Sequence, residues 1–279
     1  MAKKKFYEYE FNKYRNDIRQ TWKTIKTIIN KTKQKEDFPK HFLVNNQSIS
    51  NPVDIANKFN EYFVQIGPTL ANCIDTSGKA LFNTYLKNKS THSFKFNYTS
   101  PSEIHKLIKK LPPKTSSGHD NLSLKLLKEI GQNISDSLSL VINQSLKTGI
   151  FPEKLKLAKL IPLYKKGDAS LFGNYRPISL LPSISKIFEK VVYMQVYSYF
   201  KINKLFFGSQ YGFRDEHSTE LASLEFVDKT LKQLDKGEIP IAIFLDLSKA
   251  FDTLNHDILL HKLQHYGIGN TPLNGFLAT

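Results

Sequence analysis

This sequence has one cysteine, a shortage of acidic residues and no long apolar run. Cys73 stands alone, which excludes both a disulfide framework and a zinc site built on cysteines. No stretch approaches the roughly 18 uncharged apolar residues of a membrane span, and no apolar core follows the N-terminal charges. We therefore expect an intracellular protein, in the cytoplasm or the nucleus, without a membrane partner.

The shortage of acidic residues leaves the chain strongly basic. Its 279 residues include 40 lysines and arginines against 25 aspartates and glutamates, a formal net charge of +15. Such an excess favours a polyanionic partner, nucleic acid before membrane. A merely basic, solvated surface is the alternative that charge alone leaves open. With 20 phenylalanines, 13 tyrosines and 40% hydrophobic residues, the chain is expected to fold.

The most informative stretch is IPIAIFLDLSKAFDT, at residues 239–253. Its uncharged run from Ile239 to Leu245 is too short for a buried helix and rich in β-branched residues. It therefore predicts a strand buried on both faces. Asp246 then lies at the carboxyl end of the strand, where an unpaired buried carboxylate is too costly to keep. Carboxylate oxygens of this kind suit Mg²⁺, and a helix cap is the alternative role.

The N-terminal part of the chain is predicted to be mainly helical. Residues 1–40 carry aromatic side chains at nearly helical spacing and predict one or two basic amphipathic helices. A further helix is expected to begin at Asn51-Pro52 and to end at Gly67-Pro68. Residues 75–93 are polar and without a pattern, which is typical of a linker.

The rest of the chain is expected to mix strands with helices. Residues 94–98 alternate like a half-buried strand, and Ser100 with Glu103 predicts a capping box at the start of a helix. A second strand is predicted at 157–164, and Asn255 is predicted to cap the last helix. Hydrophobic spacing predicts further helices at 122–130, 134–146, 184–199, 221–234 and 258–263.

A basic turn follows the second predicted strand. It contains Lys165 and Lys166, and the chain returns through Arg176 just before the rigid Pro177. A hairpin-like finger with these cations would suit a triphosphate, since arginine clamps phosphate with two hydrogen bonds and lysine acts as a point charge. A solvated basic turn, with the arginine bound to backbone carbonyls, is the alternative, and the local residues do not decide between them.

Four motifs occur in a fixed order: LIPLYKKGD (160–168), NYRPISLLPSISKIFEKVV (174–192), SQYGFR (209–214) and FLDLSKAFDT (244–253). In residues, order and spacing they resemble the reverse transcriptases of non-LTR, LINE-type retrotransposons, especially the jockey-like group. Stretches farther upstream, such as PPKTSSGHDN at 112–121, resemble the connector of that family. The resemblance therefore covers nearly the whole chain.

The resemblance implies an α+β fold, namely the fingers and partial palm of a right-handed polymerase. A helical basic connector would occupy residues 1–90. The polymerase region would occupy residues 91–279, truncated after the first catalytic aspartate motif. The implied reaction is RNA-templated addition of deoxynucleotides to a DNA 3′ end, with an RNA template, a DNA primer and deoxynucleoside triphosphates as partners. Two Mg²⁺ ions are expected in the complete domain.

The resemblance also assigns roles to single residues. Asp246 matches the first catalytic, metal-binding aspartate, and the backbone carbonyl of Leu247 is expected to be a further metal ligand. Phe251 matches the ring under the sugar, where close packing excludes a 2′-hydroxyl by overlap. Arg176 and Lys166 (or Lys165) match residues that hold the incoming triphosphate. Gln210, Phe213 and Arg214 match residues near the template and the nucleotide pocket, where aromatic and cationic groups suit a nucleic-acid strand.

The carboxylates are too few for the reaction that the family implies. Two metal ions need more than one carboxylate, and the family supplies the others from an aromatic-Ala-Asp-Asp hairpin well downstream. This sequence contains no Asp-Asp dipeptide, and Asp252 and Asp257 are too close to Asp246 in sequence to replace it. We therefore expect a fragment that is inactive alone.

Two other functions compete with this interpretation. The first is a catalytically dead, nucleic-acid-binding remnant, which shares every feature of the sequence except turnover. The second is a phosphatase with an aspartyl nucleophile, which also places an aspartate at the end of an apolar strand. That class needs a second aspartate two residues later, where this chain has Ser248.

Overall fold

A computed structural model describes residues 2–15, 17–28, 38–44, 47–73, 84, 86, 90–247, 250–251 and 253–278. These residues form ten α-helices and two sheets of two strands each, a mixture consistent with the predicted α+β class. The chain divides into two compact units, Met1–Ile55 with Tyr164–Asn174 and Ala56–Leu163 with Tyr175–Thr279. A connector at 1–90 and a polymerase region at 91–279 stay predictions.

The first unit contains two helices in residues 1–40, where the sequence predicts one or two. They are α1 (Ala2–Lys13) and α2 (Ile18–Ile28). They are followed by an antiparallel hairpin of β1 (Phe42–Val44) and β2 (Gln47–Ile49). The hairpin was not predicted, because three residues per strand are too few to show an alternating pattern.

Helix α3 (Pro52–Asn72) begins where the sequence predicts and ends later. The side chain of Asn51 accepts a hydrogen bond from the backbone N–H of Val53 at 2.8 Å. The predicted end at Gly67-Pro68 is wrong, since the helix continues through both residues. A proline removes one backbone donor and crowds one carbonyl, yet Pro68 lies inside α3, which ends at Asn72. The predicted linker falls largely on residues outside the described ranges.

Three helices build the core of the second unit: α4 (Pro101–Lys110), α5 (Leu124–Thr148) and α7 (Ser183–Ile202). The short helix α6 (Glu153–Lys156) and the paired strands β3 (Lys159–Tyr164) and β4 (Tyr175–Leu180) lie between α5 and α7 in sequence. The strand predicted at 157–164 is thus confirmed, starting two residues later. The buried core residues are Ile104, Leu107, Ile108, Leu124, Leu127, Leu138, Ile142, Leu146, Ile187, Phe188 and Val191.

Helix α5 replaces two predicted helices with one of 25 residues. The predicted break lay between Ile130 and Ile134, and Gly131 is instead buried inside the helix. A Cβ atom there would lie 3.0 Å from the side chain of Ile108 on α4. The glycine therefore allows the two helices to approach closely, and this packing compensates for its low helix propensity.

The strand predicted at residues 94–98 does not form. Phe94 is buried as the alternation predicts, but its N–H donates to the carbonyl of Gly267 at 2.9 Å. The N–H of Asn97 donates to the side chain of Gln195 at 2.9 Å. A loop and a helix side chain satisfy this backbone, so it needs no neighbouring strand.

The prediction of a central strand at 239–245 is also wrong. The segment lies between α8 (Thr219–Asp235) and α9 (His256–His265), and its backbone forms no strand ladder with any described residue. Its large apolar side chains are 80–89% exposed. A strand needs a partner for its backbone donors and acceptors, and no described strand lies beside this one.

The C-terminal part agrees with the sequence. The side chain of Asn255 caps α9, accepting from the N–H of Ile258 at 3.0 Å as predicted. A last helix, α10 (Asn270–Leu277), follows Gly267 and Gly269 and was not predicted. Among the helices that the structure describes, none combines the length and the apolar character needed to cross a membrane.

Replacing Gly267 by alanine should destabilise the second unit much more than Gly269→Ala does. Gly267 has φ +89°, and an added Cβ would overlap the carbonyl oxygen of His92 and the hydroxyl of Tyr199. Left-handed strain and overpacking together should cost about 3 kcal/mol. A Cβ at Gly269 meets no atom within 4 Å. Urea unfolding of the two variants measures the difference, and equal midpoints would contradict the packing described here.

The capping box of α4 should make stability depend on pH in the acidic range. Glu103 accepts from the N–H of Ser100 at 2.7 Å, and hydrogen bonds from this residue lower the pKa of the Glu103 carboxyl. Because the folded pKa lies below the unfolded one, the stabilisation is present above the unfolded pKa and is lost as pH falls through the folded pKa. Glu103→Gln keeps an acceptor and does not titrate. The native chain should therefore lose more stability than this variant between about pH 6 and about pH 3, measured by urea unfolding.

Candidate nucleotide and nucleic-acid site

The basic turn predicted to hold a triphosphate lies in the first unit and is closed by hydrogen bonds. The N–H of Lys165 donates to the carbonyl of Asn174 at 2.8 Å, and the Asn174 amide donates to the carbonyl of Asp168 at 2.8 Å. The carboxylate of Asp168 accepts from the N–H and the hydroxyl of Ser170 at 2.8 and 2.7 Å. These two bonds lower the pKa of Asp168. The turn therefore has a defined shape.

The two lysines of this turn are exposed. The ammonium groups of Lys165 and Lys166 form no hydrogen bond or ion pair with a described residue. Lys166 stands at the bend, directly before Gly167 with φ +92°. Both cations are thus available to an external anion, and the triphosphate role of Lys166 stays a prediction.

Arg176 lies in the second unit, on β4. Its side chain is exposed and forms no hydrogen bond or ion pair with any described residue. The alternative raised by the sequence, an arginine bound to backbone carbonyls, is therefore not what the described contacts of Arg176 show. Arginine in this state can offer its planar fork of donors to phosphate.

Arg214 does adopt that alternative role. Its guanidinium donates to the carbonyls of Phe207 and Gln210 at 2.9 and 3.1 Å and lies 5.2 Å above the ring of Phe206. The side chain of Gln210 in turn donates to the carbonyl of Gly212 at 3.0 Å. Two of the three side chains predicted to bind nucleic acid, those of Gln210 and Arg214, thus contribute to the shape of their own loop, because they satisfy its backbone carbonyls.

The structure brings together two aromatic residues from different motifs. The rings of Phe213 and Phe251 meet edge to face, with centroids 6.2 Å apart and planes at 89°. Both rings are more than four-fifths exposed. Phe213 has φ +62°, a left-handed conformation that costs a non-glycine residue about 1–2 kcal/mol. The strained backbone at position 213 thus carries a ring that stays exposed.

The predicted metal ligands lie near these rings in sequence and are exposed. Asp246 and Leu247 follow Phe244, whose ring contacts Phe226 of α8 with centroids 5.7 Å apart. A carboxylate and a carbonyl are hard oxygen donors that fit Mg²⁺, although they fill only part of its six-ligand shell. The described residues contain no group of three or more metal-ligating side chains. Asp252 lies outside the described residues.

An apolar cavity of about 560 Å³ lies in the second unit beside the Arg214 loop. Aromatic rings from α7 and the loop line much of it, including Phe188, Tyr197 and Phe213. Glu189 stands in its lining, and loss of hydration there raises the pKa of the Glu189 carboxyl. The sequence did not predict this cavity, since its lining comes from five separate segments.

Asp168 and Asn174 were also not singled out from the sequence. An aspartate followed two residues later by serine is typical of a turn in which the side chain accepts from the backbone. That local signal could have identified Asp168. The bond from Asn174 links residues on opposite sides of the turn, so it becomes visible only in the folded chain.

Comparison with known families finds a match over the C-terminal part of the chain. Residues 163–277, which contain the basic turn, the Arg214 loop and Asp246, match the family described as reverse transcriptase (RNA-dependent DNA polymerase). Over these residues the chain is similar to the reverse transcriptases.

Curated relatives from jockey and similar mobile elements confirm the resemblance to jockey-like reverse transcriptases. The chain is 31% identical over 179 residues to the RNA-directed DNA polymerase from mobile element jockey of Drosophila melanogaster, covering 64% of this chain and 20% of the relative. A second relative is the probable RNA-directed DNA polymerase from transposon BS of the same organism, which is 32% identical over 60% of this chain and 19% of the relative. A third is the probable RNA-directed DNA polymerase from transposon X-element, which is 31% identical over 59% of this chain and 18% of the relative. The chain thus spans about a fifth of the length of these relatives.

Alanine substitution of Arg214 should destabilise the protein more than alanine substitution of the solvent-facing Arg176. Arg214→Ala removes two charge-assisted hydrogen bonds and a stacked ring, so it should cost about 2 kcal/mol and speed hydrogen exchange in residues 207–212. Arg176→Ala is the matched control and should change stability by less than about 0.5 kcal/mol. Equal effects of the two variants on unfolding and exchange would show that the Arg214 contacts do not hold the loop.

Proposed function

We propose that this chain forms the fingers and the first part of the palm of an RNA-directed DNA polymerase of the jockey-like, non-LTR type. Its substrates are deoxynucleoside triphosphates, a DNA primer and an RNA template. The observation that carries the proposal is the agreement in order and spacing of four motifs, three of which lie within the residues that match the family.

Exposed cations carry the proposed role in triphosphate binding. A triphosphate is held by charge and by directional hydrogen bonds, and phosphoryl transfer depends mainly on positioning and charge stabilisation. Lys166 offers a point charge on a shaped turn, and Arg176 offers a planar fork just before Pro177. Neither cation is neutralised by a described acidic side chain. Each therefore retains its charge for the incoming nucleotide.

Asp246 and the carbonyl of Leu247 are the proposed metal ligands, with Mg²⁺ as the proposed ion. When bound, Mg²⁺ would stabilise the negative charge of the reacting phosphate oxygens. The side chain of Asp246 is exposed. Its carboxylate can therefore bind a hydrated cation without first losing a buried partner.

Phe251 is the proposed group that selects deoxyribose. A ring packed against the sugar has no room for an additional hydroxyl, and steric overlap excludes an extra atom more strongly than apolar character does. Phe213 supports this ring from one side in the described structure. The pair would thus face the nucleotide as a single aromatic surface.

Turnover requires more carboxylates than the described residues bring together. Two-metal transfer uses at least two carboxylates close to both ions, and no cluster of three ligating side chains occurs in the described part of the chain. We therefore propose that the chain binds nucleic acid and nucleotide by itself, and that it polymerises only with the remaining palm carboxylates. The positive net charge supports salt-sensitive binding of nucleic acid.

Primer extension tests this proposal. The chain alone, and the chain joined to the following palm segment of the jockey relative, are compared on a poly(rA)/oligo(dT) template with Mg²⁺. Only the joined protein should incorporate dTTP, and Asp246→Ala should reduce its incorporation by at least about 10³-fold, since the substitution removes a metal ligand.

Asp257→Ala is the matched control, because Asp257 is an exposed carboxylate in the first turn of α9. It should leave incorporation within about twofold of the unsubstituted protein, as surface substitutions generally do. Retained activity in Asp246→Ala would reject the metal-ligand role. An absence of incorporation in the joined protein, with RNA binding intact, would favour a nucleic-acid-binding remnant.

A further inference from the structure

The basic turn is shaped by two side chains that carry no positive charge. The main-chain carbonyl of Asn174 accepts from the N–H of Lys165, and the side-chain amide of Asn174 donates to the main-chain carbonyl of Asp168. A Cβ atom at Gly167 would lie 2.8 Å from this amide nitrogen. The left-handed glycine therefore allows the turn to close directly onto Asn174.

Asp168 orders the other half of the turn. Its carboxylate accepts two hydrogen bonds from Ser170, and its carbonyl accepts from the N–H of Leu171 at 3.3 Å. The described ion pairs do not join Asp168 to either neighbouring lysine. The carboxylate thus shapes the turn without neutralising the cations beside it.

The same turn is fastened to the N-terminal hairpin within the first unit. The carbonyl of Ser170 accepts from the N–H of Leu43 on β1 at 3.0 Å. Phe172 is buried, and its ring centroid lies 5.1 Å from that of Phe42, which is fully buried. One backbone hydrogen bond and one buried aromatic pair therefore connect the basic turn to a segment more than a hundred residues earlier in the sequence.

We propose that Asp168 and Asn174 are positioning residues that hold Lys166 ready for the triphosphate of the incoming nucleotide. In this proposal the hairpin of β1 and β2 belongs to the nucleotide-binding fingers, because it supports the turn through Phe42 and Phe172. The proposal rests on the proposed function of Lys166. Its physical basis is pre-organisation, since a turn that is already ordered loses less conformational freedom when the ligand binds.

Binding of dTTP and of inorganic tripolyphosphate to the full chain tests the proposal. Isothermal titration is carried out at low salt with the native chain, Asp168→Ala and Asp168→Asn. Both variants remove one negative charge, so simple electrostatics predicts that both bind the anions more tightly. Positioning predicts otherwise. Asp168→Asn keeps an oxygen acceptor and should bind at least as tightly as the native chain, while Asp168→Ala should bind about five- to tenfold more weakly.

Two lysine variants test whether a cation on the turn contributes more to anion binding than the same charge elsewhere. Lys166→Ala should weaken binding more than Lys159→Ala, which removes the same charge from an exposed residue at the start of β3. Hydrogen exchange is measured on every variant. Asp168→Ala should accelerate exchange in residues 165–171 and leave the core helix α5 unchanged, which separates a loosened turn from a protein that fails to fold.

Each outcome bears on a different part of the proposal. Equal or tighter binding by Asp168→Ala would overturn the positioning role, and so would a native chain that binds neither anion. Binding of tripolyphosphate with the predicted order of variants, but without dTTP binding, would keep the positioning role and reject the nucleotide as ligand. If Asp168→Ala binds as tightly as the native chain while the joined protein still incorporates dTTP, the positioning role fails and the proposed function stands. If the native chain binds neither anion and the joined protein does not incorporate dTTP, the proposed function fails as well.

Discussion

The close approach of α4 and α5 at Gly131 is the contact on which much of the second unit depends. It aligns the buried faces of both helices with α7. It is also accompanied by a polar network, in which Ser139 and Asn143 of α5 both donate to the carbonyl of Thr99 at 2.8 Å. The network holds the chain that enters α4, so the packing of α4 on α5 is secured by the polar network at the start of α4 and by the glycine contact near its end.

Helices were predictable to the extent that their signals are local. The caps at Ser100 and Asn255 follow from neighbouring residues and are confirmed. The helix ends predicted at Gly67-Pro68 and near Gly131 are wrong, because residues that are unfavourable in a helix are tolerated at both places. At Gly131 the reason is the close packing against Ile108. Both wrong strands, at 94–98 and 239–245, failed for a different reason: a strand requires partners that can be distant in sequence.

The candidate site was likewise predictable only in part. The motifs that contain Lys166, Arg176 and Asp246 were recognisable in the sequence, because their order and spacing resemble one family. What the sequence did not reveal is how cations of the same chemical type differ in use. Arg214 is bound to carbonyls of its own loop, whereas Arg176 has no described partner. The difference depends on loop geometry, as does the support of the basic turn by Asp168.

The left-handed backbone of Phe213 has an evolutionary consequence. Glycine or asparagine would relieve the backbone strain at this position, but neither would keep the ring that contacts Phe251. Folding and the proposed use of the ring therefore favour different residues. Where the ring is no longer needed, nothing opposes its replacement, so a phenylalanine kept at position 213 in a related chain would indicate that the ring is still in use.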